Sequence, residues 1–153
     1  MKKRVLTWLT AVCMALTMLP LPTAWAAQTV TFSDVTDRNT AMAVETLRLM
    51  DVLDGYGDGT FRPEAILTRA QFCKMVVYAM GAEDELGLYR TVTVFPDVKP
   101  SHWAAGYINM AAKGKKVISG YPDGLFHPDQ TVTTGQAVTI LLRMLGYKDE
   151  NIG

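Results

Sequence analysis

Late in the chain Ala137, Ile140, Leu141, Met144 and Leu145 recur at i, i+3, i+4, i+7 and i+8, the apolar stripe of an α-helix. Earlier, Phe72, Met75, Val76 and Ala79 keep the same rhythm. Each run is preceded by T-x-x-Q, Thr68 to Gln71 and Thr133 to Gln136. That is a capping box: the threonine hydroxyl accepts from the third helical N–H and the glutamine reaches back to the cap. Gly81 and Gly146 stand just past the runs, where a left-handed residue ends a helix. A second helical stripe is formed by Trp103, Tyr107, Met110 and Ala111, and a looser one by Val44, Leu47, Leu49 and Met50.

These paired signals are one repeat. Aligned without gaps, residues 55–81 and 120–146 share Gly, Tyr, Asp, Gly, Phe, Pro, Thr, Gln and the final Gly. Upstream, F-S-D-V at 32–35 matches F-P-D-V at 95–98. Each copy therefore reads as a short extended piece, a helix, a glycine-rich turn and a capped helix. In the turns, D-G-Y-G-D-G-T-F-R-P-E and S-G-Y-P-D-G-L-F-H-P-D, glycine suits positive φ and the proline keeps the exit extended. The expected fold is mostly α: tandem helix–turn–helix repeats with short extended segments. Expected boundaries are 27–81 for repeat 1, 82–94 for a linker and 95–147 for repeat 2, with 148–153 a tail or the start of a further module.

The first 26 residues change the charge and the compartment. Lys2, Lys3 and Arg4 precede an apolar run, Pro20 and Pro22 end it, and A-W-A at 24–26 suits cleavage, the layout of a secretory signal peptide. The run is shorter than the roughly 20 residues of a spanning helix. No membrane association is expected once residues 1–26 are removed. Removal takes three basic residues and no acidic one, leaving 127 residues with net charge −3. That gives no electrostatic footprint for nucleic acid. Only Cys73 remains, within an apolar helical pattern, so an internal disulfide is excluded and a buried core thiol is expected.

The acidic turns raise the question of a metal. With Gly59 at the sixth position of a calcium loop, Asp54 and Asp58 fit, but Tyr56 and Ala65 occupy ligand positions. The second copy fails likewise at Tyr121 and Gln130. His102 and His127 have no cysteine partners for zinc. No metal and no cofactor is expected. The simpler role for Asp58 and Asp123 is to accept from nearby backbone N–H groups and fix the corner, with Phe61 and Phe126 beneath it. No nucleophile–base pair or ligand cluster marks an enzyme, and no catalytic residue is assigned. The run Lys113, Lys115, Lys116 is a solvated helix end or a contact for an acidic polymer.

The combined pattern F-P-D-V-K-P-S-H-W-A, S-G-Y-P-D-G-L-F-H-P and G-Y-G-D-G-T-F-R-P-E-A-I-L-T-R-A-Q resembles the S-layer homology (SLH) domain family, over residues 32–147. The resemblance implies an exported, non-catalytic module on the cell wall or S-layer surface, bound to secondary cell-wall polysaccharide, including pyruvylated forms. It implies grooves lined by the T-R-A segment, the glycine-rich turn and nearby aromatics, hence ligand-binding roles for Arg69, Asp58, Gly59, Trp103, Asp123 and Gly124. An arginine at a helix start offers a planar fork to a carboxylate, beside free N–H groups. Trp103 either stacks on a sugar or packs in the helix core. The sequence departs from the family at Thr134, where Arg is usual, so the second groove is expected to lose its clamp. Thr40 and Ala41 replace the first Trp-Ala pair, and Gln71 and Gln136 replace Glu. Two copies rather than the common three suggest self-association or a third SLH copy. A calcium-dependent, dockerin-like interaction module is the alternative.

Overall fold

The structure, a computed structural model, describes residues 32–152; the expected signal peptide lies outside them. Four α-helices carry the described fold, and among the described residues there is no sheet, only one isolated antiparallel bridge between Thr68 and Thr131. No described helix is long and apolar enough to cross a membrane.

Helix α1, Arg38–Leu49, starts where the Asp37 carboxylate accepts from the Thr40 N–H at 2.7 Å. Helix α2, Arg69–Ala79, and helix α4, Thr134–Met144, both carry the complete capping box. Gly81 and Gly146 follow them with φ of 58° and 88°. Helix α3, Ala105–Asn109, is short and widens into a π turn, Met110–Gly114. Trp103 therefore precedes this helix rather than packing inside it, and it is 57% exposed. The linker is not bare: Glu83–Leu88 forms a 3-10 turn with Leu86 buried. Asn109, itself fully buried, ties the linker down by donating from Nδ2 to the carbonyls of Tyr89 (3.0 Å) and Val92 (2.6 Å).

The glycine-rich turns are nearly superposable in their bonding. Tyr56 N–H donates to Thr60 O and Tyr121 N–H to Leu125 O, both at 2.8 Å. Gly59 and Gly124 each sit at φ 80°, a region closed to most side chains. Arg62 (φ 60°) and His127 (φ 55°) are also left-handed, although neither is glycine. Their strain is held by the aspartates of the F-x-D-V segments. Asp34 accepts from the N–H groups of Phe61 (2.8 Å) and Arg62 (2.6 Å). Asp97 accepts from those of Phe126 (3.0 Å) and His127 (2.7 Å). Each turn also sets one phenylalanine on another, Phe32 on Phe61 at 5.7 Å and Phe95 on Phe126 at 5.2 Å.

The core does not respect the repeat boundary. A small cluster of Phe32, Val35, Val44 and Leu53 serves the front of repeat 1. The main cluster joins Ala70, Phe72, Cys73, Val76 and Val77 of α2 to Val98, Ala104, Ile108, Met110, Phe126 and Ile140 of repeat 2. Burial of each large apolar side chain contributes about 1.5–3 kcal/mol, so α2 is held mainly by the repeat that follows it. Three backbone bonds zip the junction: Arg69 N–H to Gln130 O, Ala70 N–H to Pro128 O and Val132 N–H to Leu67 O, at 2.9, 2.9 and 3.0 Å.

Candidate functional site: two composite grooves

That junction decides where Arg69 goes. As the first residue of α2 it points out of repeat 1 and into the turn of repeat 2, where it is only 3% exposed. Its Nε donates to Phe126 O (2.9 Å), Nη2 to Ser119 O (3.1 Å) and Nη1 to Gln136 Oε1 (3.3 Å). The guanidinium carbon lies 4.5 Å from the ring centres of both Tyr121 and Phe126. All these partners are neutral, and no described carboxylate pairs with Arg69.

Above this cation lies a groove of about 310 Å³, lined among others by Arg69, Tyr121, Gln136, Thr139 and Arg143. Gln136 organises it. Its Oε1 accepts from Arg69 and from the Thr133 N–H, while its Nε2 donates to the Tyr121 hydroxyl at 2.8 Å. A glutamate could not make that donation, and would bring a negative charge against Arg69. Arg143 on the wall donates from Nε to Asp149 at 2.7 Å, which holds the Asp149 carboxyl below its ordinary value.

The corresponding groove of repeat 1, about 300 Å³, is lined by Asp54, Tyr56, Phe61, Arg62, Gln71 and Lys74 among others. Tyr56 is covered by Arg62 of its own turn, at 4.0 Å, rather than by an arginine from another repeat. Lys74 pairs with Asp54 at 3.1 Å and lies 5.6 Å over Tyr78. From Tyr78 a row of rings continues into repeat 2: Tyr107 at 6.1 Å, then Trp103 at 6.4 Å from Tyr107, with His102 stacked on Trp103 at 5.9 Å.

The sequence-assigned residues are thus sorted crosswise. Arg69 belongs to the groove of repeat 2, so that groove has a guanidinium despite Thr134, contrary to the expectation of a lost clamp. Trp103 belongs to an aromatic row that runs from His102 to Tyr78, beside Lys74 of the groove of repeat 1. Asp58, Gly59, Asp123 and Gly124 line neither groove. They shape the turns: Asp58 accepts from the Thr60 hydroxyl (2.6 Å) and from Arg62 (2.8 Å). Asp123 accepts from the Leu125 N–H (2.9 Å) and lies 2.7 Å from His127. The Thr60 hydroxyl, then Arg62, bring the Asp58 carboxyl down to about 2. Sequence reasoning did not single out Asp34, Asp97, Lys74 or Arg143. The repeated aspartate of F-x-D-V was the available signal for the first two.

The S-layer homology domain profile matches residues 31–73 and 94–138. The chain belongs to the S-layer homology domain family. It is 34% identical over 146 residues to a surface layer protein of Brevibacillus choshinensis, covering 95% of this chain and 13% of that protein. A middle cell wall protein of Brevibacillus brevis is also 34% identical over 146 residues, covering 95% of this chain and 14% of that protein. A cellulosome-anchoring protein of Acetivibrio thermocellus is 34% identical over 93 residues, 61% of this chain and 21% of that protein. The chain therefore spans only 13% to 21% of the length of these relatives. No solved structure matches it. Two tandem SLH units place the chain at the cell wall or S-layer surface.

Proposed function

We propose that this SLH chain is a non-catalytic anchor that binds an acidic secondary cell-wall polysaccharide, with the groove of repeat 2 as its anion site. The observation that carries the reading is the Arg69 cation, 3% exposed and bonded only to neutral groups under a polar groove. Taking a charge out of water costs several kcal/mol unless a counter-charge is near. A carboxylate on the polymer, such as a pyruvate ketal, would supply it, and two of the five guanidinium N–H donors have no described partner. Arg143 adds a second cation on the wall. Beyond Lys74 of the other groove, Trp103 and its neighbouring rings offer faces for sugar stacking, while Asp58, Gly59, Asp123 and Gly124 act by shaping the turns.

The test is co-sedimentation with native walls and with walls chemically stripped of secondary polysaccharide. Binding to native walls alone supports the reading; equal binding to both sinks the polysaccharide. Gln136→Glu then addresses the anion site without removing Arg69. The new carboxylate keeps the cap and pairs with the guanidinium, so wall affinity should fall at least tenfold; the lost bond to the Tyr121 hydroxyl and the new ion pair act on stability in opposite directions, so binding is measured well below the variant's own melting temperature. Unaltered affinity would move the anion site elsewhere. Asp58 and Asp123 bond within their own turns and Asp54 pairs with Lys74, which gives the calcium-dependent alternative no support.

A further inference from the structure

Among the described residues that line the groove of repeat 2 there is no carboxylate, while Arg69 and Arg143 are both cations. The two are partnered differently. Arg69 bonds only to neutral acceptors. Arg143 gives its Nε–H to Asp149 Oδ1 at 2.7 Å, and its two terminal nitrogens have no hydrogen-bond partner among the described residues. The Arg143 side chain is 21% exposed and that of Asp149 74%. Asp149 does not itself line the groove; it opens the 3-10 turn Asp149–Asn151 that follows α4 and reaches Arg143 from there. The bond to Arg143 holds its carboxyl below the ordinary 3.8, so it is an anion throughout the neutral range.

Repeat 1 is charged in another way. The positions that correspond to Arg143 and Asp149 are Tyr78 and Asp84. Tyr78 carries no charge and stacks on Tyr107. The carboxylate of that groove, Asp54, is one of its own lining residues and pairs there with Lys74 at 3.1 Å. In repeat 1 the cation is thus answered inside the groove. In repeat 2 one cation has no counter-charge, and the other is answered by a carboxylate that leaves the groove open.

We propose that Asp149 is a specificity-determining residue of the repeat 2 groove: it cancels one of the two guanidinium charges from outside and matches the groove to a polymer unit bearing a single carboxylate. The inference rests on the anion reading of that groove given above. Because Asp149 takes only the Nε–H, the outer fork of Arg143 keeps its donors for a ligand oxygen. A ligand oxygen on the same guanidinium lies well within the screening length of about 8 Å at physiological salt, so it also meets the Asp149 charge. Asp149 therefore lowers the affinity for any anion in the groove, and lowers it further for one with a second negative charge.

Co-sedimentation with native walls at low and high salt, roughly 0.05 and 0.5 M NaCl, tests this. Asp149→Asn keeps an oxygen for the Nε–H and removes the charge. It should bind roughly three- to fivefold more tightly than wild type at low salt, the range expected for one partly exposed charge, and the gain should shrink at high salt. Arg143→Gln should weaken binding. With Arg143 already replaced, Asp149→Asn should gain less than about twofold, since nothing then holds the carboxylate beside the groove. Unchanged binding by Asp149→Asn overturns the proposal. Weaker binding overturns it too, because Asp149 would then serve to orient Arg143 rather than to moderate its charge. So does a full gain that persists without Arg143. Gln136→Glu separates the two levels: if it leaves wall affinity unaltered, the anion reading fails and this inference with it. If it lowers affinity while Asp149→Asn changes nothing, this inference alone fails.

Discussion

Replacing Arg69 by Met keeps an apolar stem and removes the guanidinium that ties the repeats together. Two bonds to carbonyls are lost, at 2.9 and 3.1 Å to Phe126 and Ser119, together with a longer one to Gln136. Bonds from a charged donor are worth roughly 1.5–3 kcal/mol each, and stacking on two rings adds about 0.5–2 kcal/mol. Opposing this, the variant no longer buries a cation, whose desolvation costs several kcal/mol. The two acceptor carbonyls, however, stay near the junction and lose their donor, so a net loss of about 2–3 kcal/mol is expected. For a domain of this size that is a melting temperature lower by roughly 8–12 °C. Thermal denaturation followed by far-UV circular dichroism reads it, with Arg62→Met as the control. Arg62 is half exposed in its ion pair with Asp58, and its loss should shift melting by no more than about 2 °C. If Arg69→Met melts with the control, the guanidinium is not the tie inferred here.

Three further outcomes are expected. Asp34 is held below the ordinary 3.8 by the Phe61 N–H and then that of Arg62. Asp97 is held below it by the N–H groups of Phe126 and His127, which outweigh its partial burial. A lowered folded-state value means stability is fully present above about pH 4 and lost as pH falls below it; a melting temperature flat from pH 5 to pH 2 would contradict this. Burial pushes the Cys73 thiol up to about 12 despite the nearby Arg69 charge, so a disulfide reagent should label it only at the rate of unfolding, and prompt labelling of the native chain would refute the packing. In Gly120→Ala the new methyl would meet Phe95 Cε1 at 2.5 Å and Leu125 O at 2.8 Å, for a loss of about 1–3 kcal/mol measured in urea; an unchanged midpoint would show that the turn has slack.

Much of this fold is local and could be read locally. The capping boxes at Thr68 and Thr133, the terminating glycines and the two turns depend on residues within a few positions of one another. What escaped was set by distance along the chain. Asp97 meets its amides some 29 and 30 residues away, and Arg69 reaches Phe126 across 57. Nothing in a helical stripe says which neighbour will cover it. Leu141 and Leu145 have the spacing of core residues and remain exposed, whereas Trp103 has a place in a stripe but lies before the helix begins. The site was legible as a set of residue types; its division into two grooves was not, because that depends on how one repeat docks on the next.

The crosswise position of Arg69 means that the order of the repeats is itself information. Exchanging them in the chain would put Thr134 beneath Tyr121's counterpart, Tyr56, and move Arg69 away from both described grooves. The two copies are thus not interchangeable beads. A copy whose own motif has decayed can still own a fully furnished groove, provided its predecessor kept the arginine. Tallying intact motifs along a tandem array would therefore credit each lost arginine to the wrong groove by one place.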